Sequence, residues 1–304
     1  MQNSEIERLQ ELMQTLGLSN TDVARISGKS TATVSQVLGE KYKGRPEVIG
    51  EIGASLDAWC REREERQTRE REAWFTEGQK LIQSVLGLTY ATRGFSVVVG
   101  PSGIGKTWTA LKFNDMYPDV LYLRCADGMS MGDVIDALLG LTGTPCCGSN
   151  SQRLKRGIRA LLEGGVRMLL VDEADLLVTD GSRPKILKKI SVFREVKEAG
   201  VGVSLIGLES FDNALRTVGE TYVTSRIDMF RRAGTPSEQE LGHYLASLGI
   251  DPETDGARRA LSLAPKNGSM RFVEKAAHIA RQLGDNMVEA LRFLFAASGH
   301  VKGV

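Results

Sequence analysis

The run GFSVVVGPSGIGKTWTA, residues 94–110, constrains this chain more than any other stretch. An apolar segment leads into glycines at 100, 103 and 105, and then into a lysine and a threonine that open a helical segment. Gly100, Gly103 and Gly105 let the backbone turn so that successive N–H groups face one anion, and the new helix adds its positive end. Gly100, Pro101, Ser102, Gly103, Ile104, Gly105, Lys106 and Thr107 fit the phosphate-cradling P-loop pattern, with the strand before and the helix after that it requires. The pattern assigns Lys106 to the β- and γ-phosphates of ATP, Thr107 to Mg²⁺, and the following Trp108 to the nucleotide's surroundings.

The stretches around it alternate between strand and helix. FSVVV, DVLYLRC, VRMLLV and VGVSLIGL are short apolar runs separated by helical segments, which predicts an α/β fold with a parallel sheet covered on both faces. MLLVDEAD, residues 168–175, ends one such run with carboxylates at the edge where open α/β sheets bind ligands. Asp172 is then a partner for Mg²⁺, directly or through water, and Glu173 orients and deprotonates the attacking water. The plainer alternative is that Asp172 to Asp175 cap the next helix. Arg226, in TYVTSRIDMF, is the candidate finger for a neighbouring molecule's nucleotide, and Arg271, in NGSMRF, the candidate γ-phosphate sensor; a surface arginine is the other reading of each.

Charge patterning divides the chain. REREERQTRERE, residues 61–72, offers no face to bury and marks a boundary. The expected organisation is a helix-turn-helix domain at 1–58, a charged helical linker at 59–91, a P-loop core at 92–233 and a helical lid at 234–304. No apolar run approaches the ~20 residues of a membrane helix, and the N-terminus MQNSEIERLQ is polar, so a cytoplasmic location without a membrane partner is expected. Cys60, Cys125, Cys146 and Cys147 fall at no zinc-like spacing and are expected as reduced thiols.

Taken together, GPSGIGKT, VDEAD, the SRI element at 225–227, the late GSMRF and the preceding helix-turn-helix followed by KYKG resemble the AAA+ ATPases. Within them, the order of motifs resembles the family of the phage Mu DNA transposition protein B. The resemblance implies an AAA+ P-loop sheet with a helical lid. It implies an ATPase that polymerises on DNA as a helical filament when ATP is bound, delivers target DNA to a transposase, and is stimulated to hydrolyse ATP. It assigns Lys106, Thr107, Asp172 and Glu173 as above, Arg226 as the finger and Arg271 as the second sensor. One position departs: Leu208 stands where the family places a polar first sensor, which implies slow hydrolysis without a partner unless Glu209 or Ser210 substitutes.

Two regions are candidates for double-stranded DNA. In SGKSTATVSQVLG, Ser30 caps a helix whose Val34, Val37 and Leu38 face inward, leaving Thr31, Thr33 and Gln36 outward for the major groove. A purely structural helix pair is the alternative. The basic segments around 153–159 and 183–197 offer Arg153, Lys155, Arg156, Lys185, Lys188 and Lys189 to phosphates, with a solvated helix face as the alternative. An operator-reading regulator with an ATP switch and a secretion-type AAA+ ATPase are the competing functions.

Overall fold

Valine-rich runs bounded by turn residues form strands because β-branched side chains pack well on a pleated surface. In the computed structural model, β1 (Phe95–Val99), β2 (Val120–Arg124), β3 (Met168–Asp172), β4 (Gly202–Gly207) and β5 (Met229–Arg232) form one parallel sheet in the order β2-β3-β4-β1-β5. Residues 2–39, 41–42, 44–71, 76–179, 182–218 and 226–297 are described; Lys43, Ser225 and the lid residues 298–304 lie outside them. β1, β3 and β4 are buried throughout, as strands covered on both faces must be. β5, with the sequence MFRR, is an edge strand that the apolar runs did not announce, because half of it is charged and exposed.

Helices cover both faces. On one side α5 (Glu77–Thr92) and α6 (Lys106–Met116) bury Ile82, Leu86 and Phe113 against Val98, Leu170 and Ile206. On the other, α7 (Met131–Leu141), α8 (Asn150–Glu163), α9 (Arg183–Glu198) and α10 (Glu209–Val218) pack Leu138, Leu161, Phe193 and Phe211 on Val97, Val171 and Leu205. Serines with an acid or amide three residues on start α7, α8 and α11 (Glu238–Ser247) as capping boxes, satisfying the N–H groups a helix leaves open. After β5, α11, α12 (Asp255–Leu263), α13 (Ser269–Gln282) and α14 (Met287–Ala297) enclose their own apolar cluster.

At the other end α1 (Gln2–Leu16), α2 (Asn20–Ser27), α3 (Thr31–Leu38) and the first part of α4 (Glu47–Arg71) share a small core that includes Leu9, Val23, Val34, Val37 and Ile52. Burying side chains of that size contributes on the order of 1.5–3 kcal/mol each. Gly28 turns α2 into α3 at φ +65°, and Ser30 caps α3 by accepting the Thr33 N–H.

The stretch expected as a linker is not uniform. α4 begins at Glu47, inside the N-terminal helical unit, while α5 belongs to the sheet's covering layer through Ile82, Val85 and Leu86. Among the described residues no helix is long and apolar enough to cross a membrane. None of the four cysteines is in a disulfide, and burial pushes the Cys125 thiol up to about 12.

Candidate nucleotide site

The loop between β1 and α6 is shaped by its glycines. Gly103 and Gly105 take φ +81° and +91°, conformations that favour a residue without Cβ. A Cβ on Gly100 would meet the Ala233 carbonyl at 2.7 Å, and one on Gly103 would meet the Gly268 carbonyl at 1.9 Å. Ile104 turns into the core and anchors the loop. Lys106 donates to the carbonyls of Gly100 at 2.8 Å and Pro101 at 2.7 Å, so its ammonium lies folded over the cradle. Burial pushes that ammonium below the usual lysine range, opposed by Asp172 and Asp175 nearby. An arriving anion favours the charged form.

β3 delivers the carboxylates. Asp172 is almost fully buried, and each of its oxygens is engaged: Oδ1 by the Glu173 N–H at 2.9 Å and Oδ2 by the Tyr122 hydroxyl at 2.8 Å. Glu173 sits at φ +53°, an uncommon backbone for a side chain of its size, and aims outward to accept from Arg124 at 2.6 Å. Asp175 accepts the Leu208 N–H at 2.9 Å, tying the ends of β3 and β4 together.

These elements surround a cavity of about 770 Å³, floored by Gly103, Gly105, Lys106 and Thr107, with Asp172 and Glu173 on one wall. α11 and α13 close the opposite side with Tyr244, Leu248, Met270 and Arg271. Arg271 reaches across to the Ser102 hydroxyl at 3.4 Å, so lid and loop meet at the place where phosphates would sit. Burial and the Asp172 charge push the Tyr122 hydroxyl well above the usual tyrosine range, so it stays a donor.

Trp108 and Leu208 line the cavity as well, and the expected position of a polar first sensor therefore presents an apolar side chain. Arg226 is exposed, forms an ion pair with Glu198 at the end of α9, and lies outside the lining of this chain's own cavity.

Gln79, Tyr122 and Arg124 are among the features of this site that were not read from the sequence. Gln79 belongs to the capping box of α5 and brings its amide to 2.7 Å from where a Gly105 Cβ would stand. Tyr122 and Arg124 alternate in DVLYLRC, a spacing that puts both on one face of a strand. Their partners depend on the β2–β3 register, which pairs Arg124 with Asp172.

The sequence-derived DNA candidates fare unevenly. Thr31 and Gln36 are exposed on α3, while Thr33 is half-buried with its hydroxyl 2.8 Å from that of Ser30. Lys155, Lys185 and Lys188 are exposed. Lys189 is 4% exposed and donates to the Leu177 carbonyl at 2.9 Å, which removes it from any DNA surface. Arg153 is largely buried in an ion pair with Asp136 and a hydrogen bond to Asn150, and Arg156 is held by the Cys147 carbonyl, so both are committed within the protein.

A nucleotide with Mg²⁺ fits this donor set. The cradle is one that a Cβ would fill, Lys106 and Arg271 supply positive charge, and Thr107 and Asp172 supply oxygens for the metal.

Comparison with known proteins agrees with that chemistry. The AAA domain family matches residues 89–215. The ATP-dependent target DNA activator B of Escherichia phage Mu is 25% identical over 268 residues, spanning 85% of this chain and 81% of that protein. Its namesake in Escherichia phage D108 is 25% identical over 185 residues, spanning 59% and 56%. Among solved structures, the Aeropyrum pernix ORC2 protein in its ADPNP-ADP complexes superposes with a TM-score of 0.53 at 16% identity, over 71% of this chain and 66% of that one. Its ADP form gives 0.52 at 15% identity, over 71% and 67%. These last likenesses show the fold alone, and with the AAA match over residues 89–215 the chain has an α/β AAA P-loop sheet with a helical C-terminal part.

Proposed function

From the premise that this chain is an AAA-domain relative of the phage Mu target DNA activator B, we propose that it hydrolyses ATP, assembles on double-stranded DNA and presents that DNA to a transposase. The observation that carries the reading is the preformed phosphate cradle facing Asp172 and Glu173, closed by Arg271 from the lid.

Bound Mg²⁺-ATP supplies the phosphoryl group to be transferred and a metal charge that stabilises it. Everything else is done by the chain. N–H groups of the Gly100–Gly105 loop and the start of α6 hold the phosphates, and Lys106 swings from its two carbonyls to the terminal ones. Thr107 and Asp172 hold the metal. Glu173 orients a water and takes its proton, once it leaves Arg124. Arg271 senses the terminal phosphate, and Leu208 leaves a gap in that sensing, from which slow hydrolysis in isolation is expected.

Arg226 acts on the next subunit. Its position outside its own cavity supports a head-to-tail contact, which generates a ring or an open helix; the helical filament is the form proposed here. Duplex phosphates are met by Lys155, Lys185 and Lys188, one set per subunit, without preference for sequence. The exposed Thr31 and Gln36 of α3 favour one second reading, in which the N-terminal unit adds contacts in the major groove.

The test is binding to two unrelated duplexes with ATP, with ADP and with no nucleotide, for wild type and Lys106→Ala, together with electron microscopy of the same mixtures. Binding indifferent to sequence, dependent on ATP, accompanied by filaments and lost in the variant is the expected result. Tight binding to one duplex whatever the nucleotide overturns it in favour of a regulator.

A further inference from the structure

Asp172 is the most buried carboxylate of the site, and it is presented to the cavity by two donors of different origin. The Glu173 N–H comes from its own chain neighbour and goes wherever β3 ends. The Tyr122 hydroxyl comes from β2, fifty residues earlier, and meets Oδ2 at 2.8 Å. Tyr122 lies on the edge strand of the sheet, its ring packed on the apolar layer that holds Phe113 and Val120. The backbone register places it opposite Leu170, so the hydroxyl reaches along the strand pair to the residue two places on.

This geometry leaves the carboxylate plane little freedom. One donor on each oxygen fixes the rotation about the last side-chain bond, and each oxygen keeps a further lone pair for another partner. Without the hydroxyl, one oxygen of a buried carboxylate has no protein donor, and the plane turns towards whatever proton or water is available.

We propose that Tyr122 is a positioning residue for the metal: through the Tyr122–Asp172 hydrogen bond it holds Asp172 in the orientation in which Mg²⁺ is bound beside the nucleotide. The proposal rests on the reading of Asp172 as a Mg²⁺ partner. Groups that orient a metal's ligands set its affinity, and losing one typically costs about 10–100-fold.

Tyr122→Phe keeps the ring in its layer and deletes the hydroxyl alone. The measurement is affinity for a fluorescent ATP analogue, first in EDTA and then across a Mg²⁺ titration, beside Asp172→Asn and the double variant. In EDTA the Tyr122→Phe protein binds nucleotide as wild type does and melts within a few degrees of it. In the titration its half-saturating Mg²⁺ rises about 10-fold. Asp172→Asn abolishes the Mg²⁺ response, and adding Tyr122→Phe to it changes nothing further.

An unchanged Mg²⁺ midpoint in Tyr122→Phe overturns the proposal, and so does an equal loss of affinity with and without metal, which marks a purely structural role. A normal Mg²⁺ response in Asp172→Asn overturns the reading of Asp172 itself, and the proposal with it. The two failures are therefore told apart by which variant behaves as wild type.

Discussion

Gly103 in the phosphate loop and Gly268 at the start of α13 face each other so closely that a Cβ on Gly103 would collide with the Gly268 carbonyl, and the expectation is that this contact sets how closely the lid closes. Both have positive φ, +81° and +98°, so alanine at either position carries a left-handed penalty of roughly 1–2 kcal/mol. At about 2–4 °C per kcal/mol for proteins of 150–250 residues, that lowers the thermal midpoint by several degrees in each case. Their surroundings differ. A Cβ on Gly268 meets nothing within 4 Å, whereas a Cβ on Gly103 falls 1.9 Å from the Gly268 carbonyl, below the 3.0 Å that real contacts respect. Backbone faces backbone, so no side chain can yield, and the loop and the lid must part by about 1 Å. That carries Arg271, three residues into the lid helix, away from Ser102 and the phosphates. A misplacement of about 1 Å costs roughly 100-fold in rate. Gly103→Ala is therefore expected to lose about 100-fold in ATP turnover, while Gly268→Ala melts earlier but turns over close to the wild-type rate. Phosphate release and thermal melts on both variants decide it. Equal impairment of the two in turnover, or a Gly103→Ala protein as active as wild type, refutes the idea that this contact sets lid closure.

Three further outcomes are expected. Lys185→Ala and Lys188→Ala each weaken duplex binding and reduce the slope of log affinity against log salt by about one, while Lys189→Met leaves the slope alone and lowers the melting temperature. Arg124→Gln frees Glu173 and raises basal phosphate release; a fall in release shows that Arg124 has another role. Burial pushes the Asp119 carboxyl above the ordinary range, so the folded state holds that proton more tightly than the unfolded chain. Its stabilising effect is present at low pH and is lost as pH rises through the raised folded value. Melting temperature followed from about pH 4 upward falls across that window in wild type and less so in Asp119→Asn.

The parts of the site that were legible in the sequence are those whose contacts are local. The cradle from Gly100 to Thr107 is eight contiguous residues whose glycines carry their own reason, and Asp172 follows from a strand that ends in acids. Tyr122 and Arg124 were not legible, because DVLYLRC gives their face but not the partner strand or its register, fifty residues further on. The edge strand Met229–Arg232 escaped for a related cause: half of it faces solvent, so no apolar run marks it. At α5 the charged run before it drew the boundary too late, although LIQSVLGLTY already carries Ile82, Val85, Leu86 and Thr89 at helical spacing.

Lys189 shows what a count of cations misses and periodicity supplies. In RPKILKKISVFREVK it stands three residues after Ile186 and four before Phe193, both buried, so it lies on the inward stripe of α9 while Lys185 and Lys188 lie off it. A lysine on such a stripe can bury its aliphatic stem if its ammonium finds an acceptor, and the Leu177 carbonyl is that acceptor. Arg153 meets the same condition through Asp136. A basic segment therefore counts towards a DNA surface only through the cations that its apolar period leaves outside. By that measure the proposed DNA surface draws on the first turns of α9, around Lys185 and Lys188, and on Lys155 of α8.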